Sequence, residues 1–356
     1  MDTEVQQNKI ILESHAIWSL TPNGMGLGIK LQQELKGSVH FMSDKLCEKN
    51  FSEKEKCTFK NLTQEIHKQF HLFSGHIFIF STGIAVRIIA PLLKSKTIDP
   101  AVVVVDDNGN HAISLLSGHL GGANELAKKT AMVLQADAVI TTATDANKLP
   151  AIDMIAKNQS IAIETPENIK HINMAFLKGE PVSLYDPFEC IKKHLPKTFW
   201  KDGVQKKEPN LKKIFCSHKK SNVSRETLIL RPPVLSVGIG CNRGTSCEDI
   251  RQFLLMTLKD EDLSVKSVYR FATTIVKEDE AGLLALSKEM KIPIDFYGKK
   301  DLNSVKTIKT PSKMVEKHLG VKSVCEAAAI LSADNGELIV PKKKSKDVTI
   351  AIALKK

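Results

Sequence analysis

The segment HAISLLSGHLGGANELAKKTAMVL, residues 111–134, sets one histidine inside a glycine-rich turn at the mouth of a helical pattern. Gly118, Gly121 and Gly122 permit close backbone approach to a ligand or to a second helix. Ser117 and His119 stand at the helix entrance, where a carboxylate or an oxyanion is favoured. An imidazole there could supply a proton or a hydrogen bond near neutral pH. The plainer reading gives the glycines to close packing and His119 to capping a backbone group. The spacing is neither GxGxxG nor GxxxxGKS/T, which argues against a nucleotide loop.

Other stretches carry similar chemistry. In STGIAVRIIAP (81–91) a strand ends and a helix begins, so its free amides could hold an anion with Thr82, Gly83 and Arg87 assisting. An ordinary strand-to-helix turn with a surface arginine would look the same. In DDNGNH (106–111), Asp106 and Asp107 fall at a strand's carboxyl end, where ligands gather in open α/β sheets. They could act as general bases, although Asp-Asn-Gly-Asn is also good turn chemistry. TTATD (141–145) again ends a strand in hydroxyls and a carboxylate, with Asp153 downstream. Thr144 reads as a helix cap, and Asp145 stays open as a substrate contact.

GIGCNRGTS (238–246) suits an anion pocket at Gly240, with Arg243 as its charged donor. Thr245 and Glu248 read as a T-x-x-E capping box. Cys241 has no evident neighbouring base and reads as a small buried thiol. Glu326 opens an apolar helix, a place the helix dipole alone makes favourable for a carboxylate.

The elements that position these residues alternate. Strand patterns at 15–21, 38–43, 76–82 and 101–107 interleave with helical ones at 24–35, 61–70, 83–94 and within 111–134. The run AVVVV suits a strand buried on both faces of a parallel sheet. In the helix after the glycine turn, Ala123, Leu126, Ala127, Ala131 and Leu134 fall on one face. The rhythm predicts an α/β protein with a Rossmann-like doubly wound N-terminal region over residues 1–135. A small α/β central region follows over 136–230, with helices near 150–158 and 167–178 and strands IAIE and VSLY. Residues 201–220 carry seven Lys against two acids and read as a solvated loop or a face toward an anionic ligand. RPP (231–233) reads as a linker to a separate α/β C-terminal domain over 234–356. Its pattern is strand, helix, strand, helix, two further helices in TPSKMVEKHLG and VCEAAAILSA, and a terminal hairpin around PKKKSKD.

The 356 residues carry a formal net charge of +11, which implies an acidic partner. Nucleic acid is disfavoured, because aromatics are only 5% and the basic residues are dispersed. The seven cysteines form no CxxC pair and no metal-ligand spacing, so no protein metal site is expected. Free thiols and no leader pattern predict a cytoplasmic protein. The most apolar window, 77–93, contains Arg87, a Gly and a Pro, and reads as strand, turn and helix rather than a membrane span.

Taken together, these residues resemble the CbiG family of cobalamin biosynthesis. The likeness is carried by GIAVRIIAPLLKSKTIDPAVVVVDDNGNHAISLLSGHLGGANELA, ITTATD, VGIGCNRGTSCEDI, TPSKMVEKHLGVKSVCEAAAILSA and VTIAIA, which follow the family's order over nearly the whole chain. The departures are Asn242 where a second arginine is expected, Ile275 where Asp is usual, and Ala327 where Pro is frequent. All three bear on C-terminal ligand contacts.

The resemblance implies hydrolysis of cobalt-precorrin-5A: opening of the ring A δ-lactone, then release of a two-carbon fragment as acetaldehyde to leave cobalt-precorrin-5B. The cobalt belongs to the substrate, and no cofactor is implied. Neighbouring pathway methyltransferases become candidate partners. His119 takes an acid/base role with Asp106 as alternative base or orienter. Amides near Gly121 and Gly122 hold an oxyanion or carboxylate, and Arg87 and Arg243 pair with peripheral carboxylates. A non-catalytic carrier of corrinoid intermediates is the reading from a different class.

Overall fold

The computed structural model describes residues 12–46, 57–95, 98–203, 211–312, 316–317 and 319–356. The chain divides into two compact units, Met1–Met154 and Ile155–Lys356.

Among the described residues, the first unit is built on seven strands: β1 (Leu12–Ser19), β2 (Val39–Ser43), β3 (Cys57–Phe59), β4 (Phe73–Ile79), β5 (Ala101–Val105), β6 (His111–Leu116) and β7 (Asp137–Val139). They lie in the order β3-β2-β1-β4-β5-β6-β7. Neighbours are parallel except β5 and β6, which form an antiparallel pair. Helices α1 (Pro22–Glu34), α2 (Leu62–Gln69), α3 (Thr82–Ile89), α4 (Ala123–Leu134) and α5 (Ala143–Ala146) connect them, and α6 (Ile152–Asn158) begins at the unit's end.

Alternate residues of the central strands serve two cores. Trp18, Phe78 and Val104 pack with Ile66 of α2 and Ile88 of α3. Ile17, Ile77 and Val103 pack with Leu31 of α1 and Leu126 of α4. Every residue of β5 is buried, as its β-branched run requires of a strand covered on both faces. The apolar face expected of α4 is the face it buries.

Two departures from the expected pattern move the site. His111–Leu116 forms a strand rather than a lead-in to the helix. The turn before it is closed by Asp106, whose carboxylate accepts the amides of Asn108 at 3.0 Å and His111 at 2.6 Å, and by Gly109 at φ +72°. The chain therefore reverses after β5, and the glycine turn emerges at the end of the sheet where β5 begins. Second, β7 pairs with β6 in the first sheet, so that sheet runs past residue 135. A three-residue strand is too short to show its sheet partner by periodicity.

The second unit holds two five-stranded sheets. The first has β8 (Ala162–Ile163), β9 (Val182–Tyr185), β10 (Trp200–Asp202), β11 (Lys213–Cys216) and β12 (Leu228–Arg231) in the order β10-β9-β11-β12-β8, with α7 (Ile169–Leu177). Two of these strands fall inside the lysine-rich stretch expected to be a loop. β11 is held there by burial of Ile214 and Cys216. Nor is RPP a free linker. Arg231 is 3% exposed, pairs with Glu164, and donates to the carbonyls of Ser217 at 2.9 Å and Lys219 at 2.6 Å.

The second of these sheets has β13 (Leu235–Cys241), β14 (Val268–Thr274), β15 (Ile294–Tyr297), β16 (Glu337–Lys344) and β17 (Val348–Leu354) in the order β15-β14-β13-β17-β16. Its helices are α8 (Cys247–Asp260), α9 (Ala281–Met290), α10 (Lys299–Ser304) and α11 (Val324–Ser332). The cap of α8 falls one residue later than expected. Ser246 Oγ accepts the Asp249 amide at 3.1 Å, while Thr245 Oγ1 donates to Asn242 O at 2.9 Å. Gly238 is required by packing: a Cβ there would sit 1.8 Å from the Cys325 carbonyl of α11. The terminal hairpin forms, with β16 running through the lysines to Lys344. The helix expected in TPSKMVEKHLG lies partly outside the described residues.

Candidate functional site

In the first unit, His119 is the centre of a polar cluster gathered from four elements. Its Nε2 is 2.7 Å from Asp145 Oδ2 on α5, and its Nδ1 is 3.2 Å from Asp153 Oδ2 on α6. Thr144 Oγ1 lies 3.2 Å from Nε2. Asp145 Oδ2 also accepts from Asn124 Nδ2 of α4 at 3.0 Å and from Thr142 Oγ1 at 2.6 Å. Asn124 is itself fixed, donating to Thr142 Oγ1 at 3.0 Å and accepting from Ser114 Oγ of β6 at 2.7 Å.

The glycines make this turn possible, and the packing reading holds for them. A Cβ on Gly118 would come 2.6 Å from Asn124 Oδ1, and one on Gly121 would come 2.3 Å from Ser117 Cβ. Gly122 and Ser117 take left-handed backbone, at φ +92° and +57°. Ser117 Oγ donates to Asp99 O at 3.0 Å, tying the turn to the start of β5.

The expected oxyanion cradle at the helix mouth is partly taken up by the turn itself. The amides of Gly122, Ala123 and Asn124 already donate to His119 O, Ser117 O and Gly118 O at 2.9–3.1 Å. The turn thus uses three of its own donors, and the Gly121 amide is not among them.

The electrostatics follow from this geometry. The Asp153 hydrogen bond, helped by Asp145 and opposed by burial, raises the His119 pKa above its ordinary value. Burial pushes Asp145 up, but the hydrogen bonds from Thr142 and His119 outweigh it and hold the carboxyl below the usual range. Each imidazole nitrogen faces a carboxylate, an arrangement that favours the imidazolium form over the neutral ring.

Asp106 is not part of this site. It lies at the other end of the β5–β6 pair, about five residues or roughly 17 Å of strand away. Burial pushes Asp106 up, but the backbone amides of His111, Asn110 and Asn108 together outweigh it and hold the carboxyl low, as suits a turn residue. The antiparallel reversal is the physical reason it cannot orient or replace His119. Thr82, Gly83 and Arg87 open α3 at the carboxyl end of β4, the same end as Asp106. Arg87 Nη1 folds back onto Gly83 O at 3.1 Å, and both residues are exposed.

The C-terminal candidates also separate. Gly240 lines a cavity of about 330 Å³ at the carboxyl ends of β13 and β14, together with Cys241, Lys277, Lys342, Lys344 and Thr349. Arg243 lies outside it, bound to Asp279 at 2.6 Å and to Val276 O at 3.1 Å. Glu326 is fully buried and internally satisfied, accepting from the amides of Lys309, Thr310 and Lys342 and from Thr310 Oγ1 at 2.7–3.0 Å. It clamps a loop and β16 rather than meeting a ligand. Besides Lys277, the cavity's cations come from the hairpin lysines, which read in sequence only as a turn.

Asn124, Thr142 and the bond to Asp153 were not evident from residue patterns. Asn124 directly follows the glycine turn, so a polar residue at the second helical position was a usable signal. Asp153 offered none, being 34 residues from His119 in sequence. Among the described residues, no group of three or more His, Cys, Asp or Glu side chains is arranged to hold a metal ion. No helix among them is long and apolar enough to cross a membrane.

Comparison with known proteins fits this architecture. Residues 64–145 match the description Cobalamin synthesis G N-terminal, 150–232 match Cobalamin biosynthesis central region, and 235–353 match Cobalamin synthesis G C-terminus. A Priestia megaterium protein named cobalt-precorrin-5A hydrolase is 35% identical over 80% of this chain and 79% of its own length. A protein of the same name from Salmonella typhimurium is 32% identical over 98% of this chain and 99% of its own. The solved structure of CobE, a protein from the cobalamin (vitamin B12) biosynthetic pathway, is 30% identical, covers 34% of this chain and 93% of that one, and superposes with a TM-score of 0.33. The order and coverage of the three matched regions, with full-length relatives above 30% identity, place this chain in the cobalamin synthesis G family.

Proposed function

We propose that this protein is a cobalt-precorrin-5A hydrolase of the anaerobic cobalamin pathway, working in the cytoplasm and passing its product to a neighbouring methyltransferase. Water opens the ring A δ-lactone, and carbon–carbon cleavage then releases the two-carbon fragment as acetaldehyde, leaving cobalt-precorrin-5B. The cobalt enters and leaves with the substrate, and the reading needs no separate cofactor.

The observation that carries this reading is the 2.7 Å contact between His119 and Asp145 at the lip of the turn. Lactone opening needs a proton taken from water and one given to the departing oxygen. A charged His119 is the donor. Asp145 is the acceptor: its Oδ2 is held by three donors, and its Oδ1 has no partner among the described residues. With 31% of its side chain exposed, Asp145 can meet a water. Substrate must open or share the Asp145 contact for Nε2 to reach the departing oxygen.

A +11 chain is a sensible host for a macrocycle bearing many acetates and propionates. The lysine-lined cavity at Gly240 supports binding of such carboxylates in the second unit, and it is also what favours the carrier reading. The experiment is turnover of cobalt-precorrin-5A by the wild-type protein and by His119→Ala, scored as acetaldehyde. The hydrolase reading expects release by the wild type and its loss in the variant. Substrate binding with no acetaldehyde from the wild type would leave the carrier.

A further inference from the structure

His119 touches two carboxylates that differ in their surroundings. Asp145 stands at the lip of the turn, with 31% of its side chain exposed, while the Asp153 side chain is 6% exposed. The imidazole lies between them at 16%. The two acids arrive on separate short helices, α5 and α6, so the pairing is made by the tertiary fold and not by a local motif.

We infer that Asp153 is the positioning residue of this site: from the interior it fixes the orientation and the positive charge of the His119 ring, leaving Nε2 and Asp145 on the side that meets substrate. This rests on the hydrolase reading only for its effect on turnover. A carboxylate on Nδ1 selects the ring rotation that aims Nε2 outward, and it stabilises the imidazolium over neutral imidazole. The Asp153 hydrogen bond is the largest influence raising the His119 pKa. The other groups facing the ring are Asp145 and Thr144 from α5. From α4, Asn124 bonds Asp145, and Lys128 acts on Asp145 at longer range. None of these replaces Asp153 at Nδ1. The division of labour is therefore a buried carboxylate that holds the acid charged and an exposed one that handles water. When the substrate displaces Asp145 from Nε2, the Asp153 contact keeps the ring in place.

The test follows the His119 ring directly, in the full-length protein labelled with ¹⁵N-histidine and without substrate. The wild-type ring should titrate above an ordinary imidazole; a midpoint at or below that of a free imidazole overturns the proposal. Asp153→Asn keeps the shape and a hydrogen-bond acceptor but removes the charge. It should lower the His119 midpoint, and Asp145→Asn should lower it less, because solvent screens the more exposed partner. In acetaldehyde release, Asp153→Asn should reduce kcat about 10²-fold with KM within about twofold. The alkaline limb of kcat should move down with the His119 midpoint, because the acid form is the active one. A folded Asp153→Asn whose His119 titration is unmoved, or whose activity falls with the limb in place, overturns the proposal. Absence of acetaldehyde from the wild type would instead break the hydrolase reading, and the ring titration would still decide the role of Asp153.

Discussion

The turn at His119 and the loop at Gly240 look alike in sequence and do opposite things in space. Each follows a strand, is rich in glycine, and leads toward a helix. At His119 the chain closes on itself. The turn uses three of its own amides, and side chains from α5 and α6 converge on one imidazole, with Asn124 of α4 holding Asp145. At Gly240 the chain stays open, and a cavity remains, bordered by lysines from the far end of the sequence. Glycine spacing reports only that backbones pass closely. The segments brought in from elsewhere decide whether a closed polar cluster or an open basic pocket results.

The two regions should separate by kinetics. His119→Ala removes the proposed acid and should lower kcat about 10²- to 10⁴-fold, measured as acetaldehyde release at saturating substrate. Lys342→Met keeps the chain length and removes one cavity cation. It should raise KM about tenfold, equal to ~1.4 kcal/mol of binding, with kcat little changed. A Lys342→Met effect on kcat alone would erase the distinction.

Histidines elsewhere sharpen the contrast through pH. Burial pushes His40, His76 and His218 down to about 4. For these the unfolded chain binds more protons between about 4 and 6.5, so their neutral burial is fully compatible with folding only above about 6.5. Stability is lost as pH falls through that window. His119 has the opposite sign: its raised pKa contributes stability that is complete below 6.5 and lost as pH rises through its folded value. Thermal melts should therefore fall from pH 6.5 to 4, and His76→Gln should flatten that fall. An unchanged acid slope in a folded His76→Gln would remove His76 from the account.

The smallest effect is expected at Asp106. Asp106→Asn retains an oxygen for the His111 amide at the far end of β5 and β6. Acetaldehyde release should stay within about twofold of wild type, with a stability change of roughly 1 kcal/mol or less. A large kcat loss would return Asp106 to the site.

Much of the architecture was legible because it rests on local periodicity. The two-faced burial of β5 and the core face of α4 follow from the residues themselves. His119 was also legible as a candidate, since a histidine in a glycine turn is uncommon chemistry for a mere bend. What failed was direction. HAISLL reads equally well as a lead-in or as a strand, and a turn such as DDNGN does not say whether the next segment pairs antiparallel. That one reversal moved Asp106 to the wrong end. Arg243 and Glu326 failed for a different reason: a charged residue near a glycine loop is as easily paired within the protein, with Asp279 or with backbone amides, as with a ligand.

By itself the sequence determined the alternation of strands and helices, the basic charge suited to a polycarboxylate, and the family to which the chain belongs. These depend on short-range pattern and on residue type. Only the tertiary structure decided that His119 meets Asp145 and Asp153 and that lysines of the last hairpin border the Gly240 cavity. Such pairings join segments 26 or more residues apart, set by sheet order and strand direction, which no local spacing encodes.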